Sequence, residues 1–362
     1  MAFSALDAIP LAFQHTKEQL FTRFSLGQWT RLAFVGLLAG ELGSGGGGGG
    51  NFNPGGFRHP EHPGMSPFPN LGPDVWPKVA ALGAAIAVVI FAVLVLGLIF
   101  MYVSSVMRFI LFDSVLAKEC HIRLGWNRRQ APGSRLFLFK LAYSLVTFAA
   151  FVVLIAIPAA FAFAAGWFKA PKEHVVPIVL GGLFLAFVIV FLIIIAALVY
   201  VLTKDFVVPQ MALENIGPIE SWRRLWRMMG AEKAYYAGYI GMKILMAIAA
   251  GIVVGLVTLI LGLLIAIPAV GLGILAVLTG QSAGLTWNAY TITLAILVGT
   301  GLLGIFFYIV SLVSVPVMVF FPAYSMYFFA ARYTPLHAVL YPPPPSAAGA
   351  VPPLPPAPQP AG

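Results

Sequence analysis

Tyr308, Ser311 and Ser314 recur every three residues, a spacing that gathers three hydroxyls on one face of a helix. In hydrocarbon surroundings such a face has two uses. It lines a path for a polar substrate, with Pro316 close by on the same helix, or it hydrogen-bonds to neighbouring helices. Asp113, His121 and Glu214 are the side chains that could do acid–base work on a lipid head group. They lie in separate charged connectors and share no motif. Cys120 and His121 are adjacent, which rarely makes a catalytic pair; acylation of the thiol and an inert thiol are the plainer readings. His59 and His62 with Glu61 form one histidine-rich spot, but Pro60 and Pro63 deny it the helical geometry a metal site would use. The six consecutive glycines before Asn51 lack the lysine of a phosphate loop. No catalytic, cofactor-binding or metal-binding set is therefore expected, and the chain is read as not an enzyme.

The elements that must position these residues follow from composition. Of 362 residues, 60% are hydrophobic and only 9% are charged, against about 25% charged in soluble domains. Such a chain has too little polar surface to cover itself in water, and lipid is the solvent that suits it. One cysteine excludes an intrachain disulfide. The net charge of +9 could suggest nucleic acid, yet its placement favours a membrane and no nucleic-acid partner.

Charge-free runs mark the spans. Between Lys78 and Arg108, 29 residues lack a charge; between Lys140 and Lys169, 28; between Glu173 and Lys204, 30; and from Ile244 to Ala331, 88. About 20 apolar residues cross the hydrocarbon core. The runs predict spans over 79–107, 138–166, 176–202, 240–267 and 291–320, the last two separated by a break beginning at Pro268 and Gly271. The segments 108–140 and 204–243 hold seven and six Lys/Arg against two and four acids, so both are placed in the cytoplasm. Residues Trp29 to Gly43, strongest in LAFVGLLAG, are read as a short sixth span with Arg31 snorkelling; an interfacial or re-entrant segment and a cleaved signal are the alternatives. The fold class is all-α, a polytopic transmembrane bundle of about six spans arranged as three helical hairpins with interfacial amphipathic helices. It occupies residues 1–335, with a Gly-rich extracytoplasmic loop over 43–75 and a disordered Pro-rich cytoplasmic tail over 336–362.

The stretch NIGPIESWRRLWRMM begins a helix at Pro218, where the missing N–H costs nothing. Ile219, Trp222, Leu225, Trp226 and Met229 form an apolar stripe. Arg223, Arg224 and Arg227 take the other side, with Glu220 and Arg224 as a favourable i,i+4 pair. Trp222, Arg223, Arg224, Trp226 and Arg227 are the expected membrane-interface residues, meeting anionic head groups of membrane lipids. Docking of the helix onto its own bundle is the plainer reading, and an unidentified protein partner is a further one. Gly251 and Gly255 form a GxxxG pair expected to approach the last span near Gly299, Gly301 and Gly304.

The returning spans leave through similar exits, FILF from Phe109, FVVP from Phe206 and VFFP from Val319, and basic residues Arg31, Lys140 and Lys243 open the outgoing ones. This suggests a repeat of about 100 residues. The tryptophan-bearing connector after an F-x-x-P exit, together with LGQWTRLAFVGLLAG before glycines, resembles uncharacterised multi-pass bacterial membrane families, domains of unknown function related to the membrane domain of glycerophosphoryl diester phosphodiesterase. The resemblance implies a six-helix membrane domain and transfers no functional residue; the phosphodiesterase barrel needs about 250 residues, and no loop here has room for it. The expectation is an integral protein of the bacterial inner membrane with both termini cytoplasmic. Its expected role is a non-enzymatic scaffold or accessory subunit, with a transporter or lipid-handling permease as the alternative.

Overall fold

The computed structural model describes residues 3–22, 24–41, 75–167, 173–282 and 288–342. The expected Gly-rich loop, the His59–His62 spot and most of the Pro-rich tail lie outside them. Among the described residues the chain is helical, with no strand. In order these are α1 (Ala8–Lys17), α2 (Leu26–Leu38), α3 (Val75–Leu116), α4 (Ile122–Ala164), α5 (Val175–Leu202), α6 (Val208–Glu214), α7 (Pro218–Ala231), α8 (Lys233–Ser282), α9 (Ala289–Ala330) and α10 (Thr334–Leu340). π-Helical segments, Glu18–Thr22 and Thr203–Val207, extend α1 and α5. α10 occupies the start of the stretch expected to be a disordered tail.

Five of these helices, α3, α4, α5, α8 and α9, are long and apolar enough to cross a membrane. They are longer than the spans read from the sequence. α3 has 42 residues, roughly 63 Å at 1.5 Å per residue, about twice the hydrocarbon thickness. The connectors are thus largely continuations of the spans. The expected break at Pro268 is absent: α8 runs through Pro268 to Ser282. A proline removes one backbone hydrogen bond, whereas ending a helix in hydrocarbon would strand several. The short sixth span is not a helix of crossing length; α2 has 13 residues, about 20 Å.

Packing concentrates at one end of the bundle, where the connectors gather. The three exits meet there: Phe109, Phe206 and Val319 are fully buried. Phe206 is ringed by Tyr236, Tyr239, Phe328 and Phe329, with centroids 5.1–6.0 Å away. Tyr239 stacks on Phe328 and on Tyr324. The same end holds Phe3 and Arg332, joined by a hydrogen bond from the guanidinium to the Phe3 carbonyl at 2.9 Å. The far halves of the long helices present bare apolar side chains such as Phe91, Phe148, Phe191, Leu259 and Leu303. Lipid tails solvate such surface as well as another helix would.

Close backbone approach occurs where glycine permits it, but not at Gly255 of the GxxxG pair. A side chain at Gly36 would collide with Met318, and one at Gly133 would meet Val106 at 2.6 Å. A methyl at Gly255, Gly299, Gly301 or Gly304 would meet nothing within 4 Å, so the expected contact between these positions is not made. Gly133→Val is therefore expected to destabilise the bundle by about 1–3 kcal/mol through overpacking, while Gly255→Ala is expected to leave it unchanged or slightly better. Thermal unfolding of both variants in lipid nanodiscs decides this.

His15 ties α1 to two long helices. Its Nε2 donates to the Val115 carbonyl at 2.8 Å, and its Nδ1 faces the Tyr327 hydroxyl at 3.1 Å. Burial lowers its pKa from the ordinary 6.5, aided by Lys118; the Val115 carbonyl and Glu18 pull the other way. A base whose folded pKa is depressed contributes stability that is complete above its unfolded pKa and is lost as pH falls below it. Stability is expected to decline below about pH 6.5, and His15→Gln to flatten that decline. Melting temperatures at pH 7.5 and 5.5 test it.

Candidate functional site

Six ionisable side chains converge inside the connector end, at the rims of the long helices. Glu41 reaches them through the way α2 stops. Gly40 takes φ +81°, the Gly40 N–H bonds the Leu37 carbonyl at 3.1 Å and the Glu41 N–H bonds that of Gly36 at 2.9 Å. This is a Schellman turn, which suits glycine at the left-handed position. It delivers the Glu41 carboxylate into the bundle, where it pairs with Arg108 of α3 and with Lys204 of the π-helical segment after α5. Arg108 also donates to the Ala39 carbonyl, left over at the α2 terminus, and to the Tyr200 hydroxyl at 3.2 Å.

The π-helical segment Thr203–Val207 carries two of the six. An extra residue in the turn lets consecutive side chains serve the same cluster from different sides. Lys204 turns to Glu41, and Asp205 turns to Lys243 of α8 and accepts from the Tyr239 hydroxyl at 3.0 Å. Burial here is nearly complete: side-chain exposure is 1% for Glu41 and Asp205, 5% for Arg108, 6% for Lys204 and 10% for Lys243. In so dry a setting these pairs cannot be treated as surface salt bridges.

Lys140 of α4 completes the set. It lines a cavity of about 40 Å³ with Arg108, Tyr143, Tyr200, Thr203 and Lys204, room for a few waters or one small anion. Leu136, Phe139, Val199 and Val208 make the cavity's apolar walls. Among the described residues Lys140 has no hydrogen-bond acceptor and no carboxylate partner. The other cations of the cluster all do. A smaller cavity, about 20 Å³, adjoins Glu41, Arg108, Lys204, Asp205, Pro322 and Ser325.

The matching family covers nearly the whole chain: DUF7544, a family of unknown function, over residues 3–339. The chain belongs to this family. No curated protein matches it. Nor does any solved structure. Membership of DUF7544 carries no activity with it, so the side chains must speak for themselves.

Of the residues named from the sequence as candidate site or interface residues, none belongs to the cluster; Lys140 and Lys243, named there as basic residues opening spans, do. Tyr308 is half-exposed, its hydroxyl 3.1 Å from that of Thr30. Ser311 and Ser314 are buried and donate to their own helix, at the Tyr308 and Val310 carbonyls, 3.0 and 2.9 Å away. Asp113 is held by both ends of the Arg129 guanidinium at 2.6 and 2.7 Å. Glu214 accepts from Arg224 and Tyr333, whereas His121 is exposed beside Glu119. Cys120 is buried, which pushes its thiol pKa up. On α7, the expected stripe is divided. Leu225 and Trp222 pack inward with Ser221, while Ile219 and Trp226 are each 70% exposed, alongside Arg223 and Arg227. Arg224 bridges Glu220 and Glu214.

The residues that do converge were in view as punctuation. Arg108, Lys140, Lys204 and Lys243 are the charges that bound the apolar runs. They read as the charged ends of spans, and nothing in their spacing along the chain shows that they turn toward one another.

Proposed function

We propose that the protein is a non-enzymatic, multi-pass membrane protein that engages an anionic lipid at the connector end, the lipid-handling reading rather than a pure scaffold. One observation carries it: among the described residues four cations stand against two carboxylates, the other five side chains buried and Lys140 half-buried, facing a cavity and without a counter-charge. Cations drawn out of water without full compensation are costly, and an anion supplied by the bilayer would offset that cost.

The bacterial inner membrane is the membrane proposed, and the charge bias of the connectors supports a cytoplasmic position for this end. Residues Phe3 and Arg332 meet there, so the number of crossings between them is even. The five long helices do not supply an even number, and a sixth crossing would.

A ligand that binds only the folded state raises stability by RT ln(1 + [L]/Kd). The protein is expected to melt several degrees higher in nanodiscs containing anionic lipid than in phosphatidylcholine alone, and Lys140→Gln to lose most of that gain. Equal melting temperatures for the wild type in both lipids would sink the reading.

The accessory-subunit reading keeps one observation of its own, the free face of α7. If Ile219, Trp226, Arg223 and Arg227 hold a protein partner, Trp226→Ala with Ile219→Ala will release a stoichiometric subunit seen by native mass spectrometry of the wild type in its own lipids. No such subunit on the wild type removes this reading.

A further inference from the structure

We infer that the anion the cluster selects is a doubly charged phosphate, a lipid phosphate monoester of the phosphatidic acid class, seated in the cavity beside Lys140. This rests on the lipid-engaging reading and adds the charge and class of the ligand. Among the described residues, Arg108, Lys140, Lys204 and Lys243 supply four positive charges, and Glu41 and Asp205 supply two negative ones. The pairings are specific. Lys243 is matched to Asp205, and Glu41 is shared between Arg108 and Lys204. The surplus of two positive charges therefore falls on the Arg108–Lys204–Lys140 side, which is the side lined by the larger cavity. A phosphate monoester can carry two charges and cancel the surplus. A phosphodiester carries one and leaves one positive charge of the cluster uncompensated.

Donors and walls suit the same ligand. The Lys140 ammonium has three N–H groups with no acceptor among the described residues. The Tyr200 hydroxyl accepts from Arg108 and keeps its own proton to give, and Tyr143 is also among the residues lining the cavity. Beyond the cavity, α4 and α5 continue with exposed apolar side chains, Leu145 and Phe148 on one and Phe191 and Ile194 on the other. A phosphate at Lys140 thus has acyl-chain surface leading away from it on both helices. This favours a lipid over a free phosphate ion as the source.

The test uses the full chain in phosphatidylcholine nanodiscs containing equal small fractions of phosphatidic acid and phosphatidylglycerol, with co-purifying lipid counted by native mass spectrometry. The expected result is enrichment of phosphatidic acid over phosphatidylglycerol by roughly tenfold, the effect of one well-placed charge interaction. Lys140→Gln should fall to the bulk ratio, Lys140→Arg should keep the preference, and the exposed connector variant Arg123→Gln should match the wild type. Equal enrichment of the two lipids would overturn the doubly charged assignment while leaving the anionic-lipid reading standing. Enrichment of neither would overturn both. Displacement of bound lipid by millimolar inorganic phosphate, with phosphate itself bound in a Lys140-dependent way, would reassign the cavity to a soluble anion and overturn the lipid source. Wild-type-like melting of Lys140→Gln in phosphatidylcholine alone confirms that a lost preference is not a lost fold.

Discussion

Glu41→Gln is expected to destabilise the folded bundle by about 3–5 kcal/mol, the range found when one member of a buried ion pair is removed and the other is left behind. The reason is the sharing of one carboxylate. Glu41 is the counter-charge of both Arg108 and Lys204, so its neutralisation strands two buried cations at once. Lys204→Met should cost less, because Glu41 keeps Arg108. The double variant, Glu41→Gln with Lys204→Met, should fall short of the sum of the two single effects, since the second change removes a charge that the first had orphaned. The sign of the lipid response separates this account from a merely structural one. Glu41→Gln raises the surplus positive charge of the cluster from two to three, so anionic lipid should stabilise it by more than it stabilises the wild type. Reversible denaturation in nanodiscs with and without anionic lipid measures both quantities. A Glu41→Gln protein within about 1 kcal/mol of wild type, indifferent to lipid, would show that the cluster does not hold the bundle together.

Why was this site invisible in the sequence when the helices were not? The long helices are announced by runs of hydrocarbon that have no other solvent to live in, and α3, α4, α5, α8 and α9 appear where those runs are. The same logic hides the cluster. A lysine at the end of a charge-free run is what an ordinary cytoplasmic span end looks like, so Lys140, Lys204 and Lys243 each have an adequate explanation alone. Their convergence depends on which way three helices face, and hydrophobicity that runs all round a helix cannot report a facing direction. Glu41 is a different case. Read from the sequence, a span runs through Gly40 to Gly43, whereas Gly40 ends α2 in a left-handed turn that carries the Glu41 carboxylate inward. Pro268 misled for a physical reason as well: in water it would end α8, while in lipid the helix has nowhere cheaper to go. On α7, periodicity found the helix and its Glu220–Arg224 pair, yet it could not divide the apolar stripe into the half that packs, Trp222 and Leu225, and the half that stays free, Ile219 and Trp226.

The second large effect concerns where the bundle is held together. Phe206→Ala is expected to cost about 3–5 kcal/mol, as truncation of a fully buried aromatic does. The Phe206 ring lies among four other rings contributed by α8 and α9. It sits one residue from Asp205, so losing it also loosens the π-helical segment that holds Lys204 and Asp205 in register. Phe191 lies on α5, which the segment carrying Phe206 extends, about 22 Å before it at 1.5 Å per residue, and is exposed. Phe191→Ala is expected to change stability by no more than a few tenths of a kcal/mol, because its neighbours in the folded and the separated helices are the same lipid tails. The comparison is internal: same helix, same residue type, same atoms deleted. Phe206→Ala should also weaken retention of anionic lipid, since it disturbs the cluster from below, while Phe191→Ala should leave the phosphate preference intact. Equal losses of stability from the two truncations would mean that the far halves of the helices are packed together in the membrane, and that the connector end is not the sole core of the fold.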